Sequence, residues 1–280
     1  MNEARHSARF RHIPGTAAAS PPFGWLAASG RALRFSALLL IMAASPATYT
    51  PANRRRLATQ ICLTCSQTAP AFILLSALLS VVLVHIVVVT AQSYGLSQFA
   101  LGTVVRVLVV ELLPLSAALF VALRAGAMIN AEIGAIAAAR GTRSTQGAPE
   151  NLPQNLADSE LLHREVLPRV AGSGIAVILL ATVGGGIALL LAYLGVYGFT
   201  PWGVASFTRT VGQVFEPVVL MALGLKTLLF ALAVATIPAS AGLERPRNEQ
   251  GDSVAVLHGT VRLFAVLFII EILTLTAEFF

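Results

Sequence analysis

Residues 70–91 read PAFILLSALLSVVLVHIVVVTA, a run whose one ionisable side chain is the imidazole of His85. A helix needs about 20 consecutive apolar residues to cross the ~30 Å hydrocarbon core of a bilayer, and this run supplies them. Four further stretches of the same character follow, at residues 102–134, 170–193, 214–239 and 254–276. The second is long enough to tilt, kink or project from the bilayer, and Pro114 within it marks a kink, because proline lacks an N–H and clashes with the preceding turn. The fold class expected is all-α: a polytopic membrane protein with an N-terminal interfacial helix and five transmembrane helices.

The composition agrees. The 280 residues are 56% hydrophobic and 11% charged, with a mean hydropathy of +0.78. A soluble domain carries about 25% charged residues to face water, and a disordered chain is polar and poor in aliphatics. Two cysteines cannot staple a disulfide scaffold. The net charge of +6 and the pI near 10.1 would suit a nucleic-acid partner in a soluble protein. In a membrane chain they read as basic loops held on the cytoplasmic side, and no nucleic-acid partner is expected.

The loops give the orientation. Residues 92–101 and 194–207 contain no Lys or Arg. The segment before the first span carries Arg5, Arg9, Arg11, Arg31, Arg34 and the run Arg54, Arg55, Arg56; the loop after the second carries Arg140, Arg143, Arg164 and Arg169; that after the fourth carries Arg245 and Arg247. The positive-inside rule then puts the N-terminus in the cytoplasm and the C-terminus outside. Residues 1–22 read as a mobile tail. Residues 23–44 read as an interfacial helix with Arg31 and Arg34 toward the headgroups. The short apolar run 35–44 before small residues also fits a signal peptide, but a polybasic segment follows it, which keeps the next stretch in the cytoplasm.

A charge at the bilayer centre costs about 2.5–3.5 kcal/mol on insertion scales, so each needs a partner or a polar cavity. Arg106, Glu216 and Arg262 stand close enough to span ends to snorkel, and His85 reads as a packed, hydrogen-bonded group. Glu111, Arg124, Lys226 and Glu271 lie deeper; they either pair for assembly or line a polar route for a substrate headgroup. Gly172, Gly174 and the run Gly184, Gly185, Gly186 suit close helix contact. The run lacks the following Lys-Ser/Thr of a phosphate loop, so the chain has no ATPase motif of that kind and is not expected to be an enzyme. Cys62 and Cys65 supply half of a usual zinc site and read as two packed thiols; no metal is expected.

Several of these residues carry a family resemblance. Glu111, Leu112 and Pro114, then Arg124 and Gly126, then Ala131, Glu132 and Gly134 follow one another without a gap. Together they resemble the second span of the MlaE family of ABC-transporter permeases. Arg54 to Ile61 followed by Pro70 resembles the family's basic approach to span one. Leu167, Pro168, Arg169 and Val170 resemble its approach to span three. Gly224, Leu225, Lys226, Thr227 and Phe230 resemble its fourth span, and Thr260, Arg262 and Glu271 its last.

The resemblance implies a permease subunit that moves phospholipid or a similar amphiphile between inner and outer membranes. Its implied partners are a separate ABC ATPase that hydrolyses the ATP, an MCE-domain substrate-binding protein, membrane lipids and a second permease copy or paralogue. The implied location is the bacterial inner membrane, and the chain itself binds no cofactor. Glu111, Arg124, Lys226 and Glu271 are the expected substrate-pathway residues. Glu132, Arg140 and Arg143 are the expected ATPase-coupling residues. The chain divides into the tail (1–22), the interfacial helix and basic connector (23–60) and an MlaE-like five-helix permease domain (61–280). Two departures stand out: Val110 replaces the family's arginine before Glu111, and residues 134–143 replace its acidic E-Q-I-D-A-L element. The missing acidic element motivates one alternative, a non-transporting scaffold or regulatory subunit; a second alternative is a secondary transporter coupled through Glu111 and Glu271.

Overall fold

A computed structural model describes residues 51–126, 167–243 and 252–279. The tail, the interfacial helix at 23–44, and the loop with Glu132, Arg140 and Arg143 lie outside the described residues. Among the described residues every regular element is helical. In hydrocarbon no water is present to satisfy backbone N–H and C=O groups, so a spanning segment must satisfy them internally.

Helix α1 is Pro51–Ser93 and forms span one. Span two is segmented: α2 (Ser97–Val104), a π-helical segment (Val105–Leu112), α3 (Leu113–Val121) and a second π-helical segment (Ala122–Gly126). Helix α4 (Leu167–Tyr197) is span three. A 3-10 turn (Pro201–Gly203) and α5 (Val204–Val214) connect it to α6 (Pro217–Leu243), span four. Helix α7 (Asp252–Phe279) is span five. Among the described residues five helices are long and apolar enough to cross a membrane: Leu57–Ser93, Phe99–Arg124, Pro168–Tyr197, Pro217–Ala239 and Gly259–Ala277.

Three expectations are corrected in detail. Span one does not begin at Pro70: its helix starts at Pro51, so the basic stretch up to residue 60 is its first turns and Pro70 sits in its interior. At 1.5 Å per residue the 43 residues rise about 65 Å, twice the hydrocarbon thickness, so the arginine-bearing end projects beyond it. The irregularity expected at Pro114 is a wide turn before it: the Leu113 N–H donates to the Leu108 carbonyl, five residues back. Pro114 follows at the head of α3, where a missing N–H costs least. Finally, the connection between spans three and four reaches Glu216 and includes Arg209 on α5, so only its first part, 194–207, is free of basic residues. Helix α5 sets apolar Phe207, Val211 and Val214 against the bundle, and their hydrophobicity blurred its boundary with span four.

Two left-handed glycines end the long helices on this side. Gly95 (φ 70°) closes α1, with the Leu96 N–H donating to Ala91 O at 2.8 Å, and Gly198 (φ 66°) closes α4. Only glycine adopts this conformation without a Cβ penalty. Thr200 Oγ1 then donates to Tyr197 O at 2.7 Å, and the Tyr193 hydroxyl donates to Thr200 O. The turn is thereby fixed, with Phe199 and Trp202 exposed beside it.

Helices α1 and α4 run parallel in a shared register. Gly172 receives Gln60, Gly184 receives Phe72, and Gly195 receives Val84. Steps of 12 and 12 residues in α1 and of 12 and 11 in α4 mark a long contact made possible by missing side chains, as in other membrane helix pairs. A Cβ at Gly184 would lie 3.0 Å from the Phe72 ring, whereas one at Gly186 would meet nothing within 4 Å. Of the glycine run, then, the first member serves this contact. Buried Ser76, Ser80, Ser173, Thr227 and Thr236 return their hydroxyl hydrogens to carbonyls three or four residues back on their own helices, so their burial leaves no donor unmatched.

Gly184→Leu is expected to destabilise the bundle by about 1–3 kcal/mol through overpacking, whereas Gly186→Leu leaves the thermal midpoint within about 1 °C of wild type. Detergent-solubilised thermal melts followed by size-exclusion chromatography distinguish the two.

Candidate functional site

Three helices bring together a buried ion triad. Lys226 lies nine residues into α6, about 14 Å from its N-terminal end, and is 2% exposed. Its ammonium donates to Glu111 Oε2, from the first π-helical segment of span two, and to Glu271 Oε1 of span five at 3.0 Å. The flanks are apolar: Val110, Leu113, Phe230 and Leu267 are all buried. Lys226 thus replaces with two carboxylates the hydration it loses, as a buried ammonium must.

The balance is not even. Two carboxylates face one ammonium, and Glu111 Oε1 and Glu271 Oε2 are buried with no hydrogen-bond partner. Buried acceptors are costly to leave unmatched. The triad is therefore a tie between spans two, four and five with more acceptor than donor capacity.

Three of the four expected pathway residues meet here: Glu111, Lys226 and Glu271. Arg124 does not join them. It lies 13 residues beyond Glu111, in the second π-helical segment at the other end of span two, and its side chain is exposed. His85 is also exposed, on α1, and is not the packed group its depth in the sequence suggests. Cys62 is exposed, whereas Cys65 is half-buried and packs against the core, so one of the two is a packed thiol and the other is not. Among the described residues no three His, Cys, Asp or Glu side chains gather to hold a metal. Arg106 and Glu216 are exposed, consistent with positions at the rim of the spans.

One feature escaped sequence reasoning. A cleft of about 620 Å³ lies between spans two, three and four, with Gly185, Gly186 and Gly224 in its lining. The glycines were the signal, but their sequence pattern alone does not separate a helix contact from a hollow.

Lys226→Met removes the ammonium and leaves two buried carboxylates facing one another, a loss expected to cost about 3–5 kcal/mol. The triple change Lys226→Met, Glu111→Gln, Glu271→Gln restores most of that stability. Thermal unfolding of the three proteins in one detergent measures it; a single variant as stable as wild type would show that the triad does not hold the helices.

Among comparisons with known proteins, the family model described as Permease MlaE matches residues 57–277. That range contains all five spans and all three members of the triad. No curated protein matches the chain.

Proposed function

The chain belongs to the MlaE permease family, and from this premise we propose that it is the membrane subunit of an ABC transporter moving phospholipid or a similar amphiphile between the inner and outer membranes. The observation that carries the reading is the family match across all five spans. The triad supports it. A lipid headgroup is polar and cannot cross a ~30 Å hydrocarbon layer unaided, and the ion triad of Glu111, Lys226 and Glu271 places polar groups among the apolar spans. Lys226, held between the two carboxylates, fixes both in place.

In this reading the chain hydrolyses nothing. A separate ATPase drives the cycle and engages the loop containing Glu132, Arg140 and Arg143, while Arg124 marks the inner end of the route. An MCE-domain protein receives or delivers lipid on the outer side, and a second permease copy or paralogue completes the pathway. The arginine distribution supports a cytoplasmic N-terminus and an outer C-terminus.

Two measurements test this. Purification from native membranes is expected to bring an ATPase and an MCE-domain protein with the chain. In proteoliposomes holding the whole complex, Glu111→Gln is expected to lower ATP-driven lipid transfer at least tenfold while the complex stays assembled. Unchanged transfer would favour the scaffold reading, which the missing acidic coupling element motivates. Transfer that follows a proton gradient without ATP would favour a secondary transporter.

A further inference from the structure

Among the described residues the two most exposed large apolar side chains, Phe199 (93%) and Trp202 (90%), share one turn, between spans three and four. Apolar residues scattered singly over a surface are ordinary. Two aromatic side chains presented together by a fixed turn require a partner.

The turn is fixed to the helix it leaves. Thr200 Oγ1 donates to Tyr197 O at 2.7 Å, the Tyr193 hydroxyl donates to Thr200 O, and the Tyr197 hydroxyl donates to Ser206 Oγ at 3.1 Å. The Tyr193 ring meets Phe207 of α5 edge-on, with centroids 5.2 Å apart. Gly203 lies so close to Tyr197 that a Cβ there would stand 2.7 Å from its ring. Residues 199–207 therefore stay beside the last turns of α4 instead of rising beyond them.

The register with α1 gives the depth of that turn. Val84 of α1 stands against Gly195, and α4 ends two residues later, at Tyr197. Helix α1 continues for nine residues past Val84, to Ser93, a rise of about 14 Å against about 3 Å. At that rise per residue α4 stops about 10 Å short of the end of its parallel neighbour. Over that distance α1 exposes Ile86 and Val89, apolar side chains that belong in hydrocarbon on a spanning helix. Charge is absent from the same stretch of chain: between Arg169 and Arg209 the sequence has no Asp, Glu, Lys or Arg. Arg209, the first, is exposed on α5, seven residues past Trp202.

An aromatic ring with a polar edge suits the boundary between acyl chains and headgroups, where Trp and Tyr gather in membrane proteins. A water-soluble partner would have to reach below the tip of α1 to cover this turn, whereas a bilayer meets it without rearrangement. We propose that the turn at residues 199–203 is a membrane anchor, with Phe199 and Trp202 inserted into the outer leaflet at the boundary of its headgroups and acyl chains. The partner of this surface is the lipid layer itself, bound as solvent and not as cargo. The connection between spans three and four is then part of the membrane-embedded body and not a loop in water. The anchor requires the five spans and the orientation that the arginines give; it does not depend on what the chain transports.

The chain has two tryptophans, Trp25 and Trp202, so Trp25→Phe leaves one reporter, in the turn. The full-length chain with that change is reconstituted in phosphatidylcholine vesicles. Part of the lipid carries bromine on its acyl chain, either near the carbonyl end or near the methyl end, and iodide on both sides of the bilayer is the aqueous quencher. The shallow bromine is expected to quench Trp202 emission at least threefold more strongly than iodide and at least twofold more strongly than the deep bromine. A second reporter, Phe199→Trp in a chain with Trp25→Phe and Trp202→Phe, is expected to behave alike and guards against one variant misfolding. Leu78→Trp in that same background, on the exposed face of α1 within span one, is expected to favour the deep bromine. Strong iodide quenching with little from either bromine overturns the proposal, because the turn then stands in water as a surface for a soluble partner. A preference for the deep bromine, matching Leu78→Trp, overturns the boundary depth. Protection from all three quenchers also overturns the proposal, since protein then covers the turn. None of these results depends on ATP-driven lipid transfer, so the permease reading stands or falls separately.

Discussion

An ammonium in the middle of a hydrocarbon layer must be neutralised by the protein, and Lys226 is neutralised by two carboxylates from two other helices. That requirement sets the relative depth and rotation of spans two, four and five more sharply than apolar packing can. Leucine against leucine tolerates sliding, since lipid tails are as apolar as the partner helix; an ion pair at hydrogen-bond distance does not. Spans one and three are held differently. Their register comes from Gln60, Phe72 and Val84 seated against glycines of α4. The bundle thus has two fastening systems, one electrostatic and one steric, and span two lies between them. Its Leu113 approaches Gly184 on one side, and its Glu111 reaches Lys226 on the other.

The two systems differ in what they leave free. The glycine register is saturated: a side chain added at Gly184 or Gly195 would collide with its neighbour. The triad is unsaturated, with two buried oxygens that have no hydrogen-bond partner. The cleft belongs to neither system, because it is what remains where glycines of α4 and α6 face open space rather than a partner.

Much of this was legible in the sequence because hydropathy reports directly on bilayer thickness. All five spans stand where the apolar runs lie, and the four deep ionisable residues were visible as exceptions within them. Their partnership was not legible. Lys226 lies 115 residues from Glu111 and 45 from Glu271, and with no periodicity linking such distances, Arg124 had an equal claim. The start of α1 was missed because a helix leaving the hydrocarbon need not be apolar, so Arg55 and Gln60 masked its continuation. Helix α5 was missed because its apolar face resembles the beginning of a span.

The wide turn in span two has a last consequence. The segment buries residues on both sides of that turn: Val105, Leu108, Val109 and Val110 before it, Leu113, Ala117 and Val121 after it. The Leu113 N–H reaches back five residues to the Leu108 carbonyl, so the backbone stays bonded while the turn widens. Glu111 lies inside this widened segment and meets Lys226 from there. The span thus approaches the lysine from a turn broader than that of a plain α-helix, a local form that recurs at functional sites in other helices.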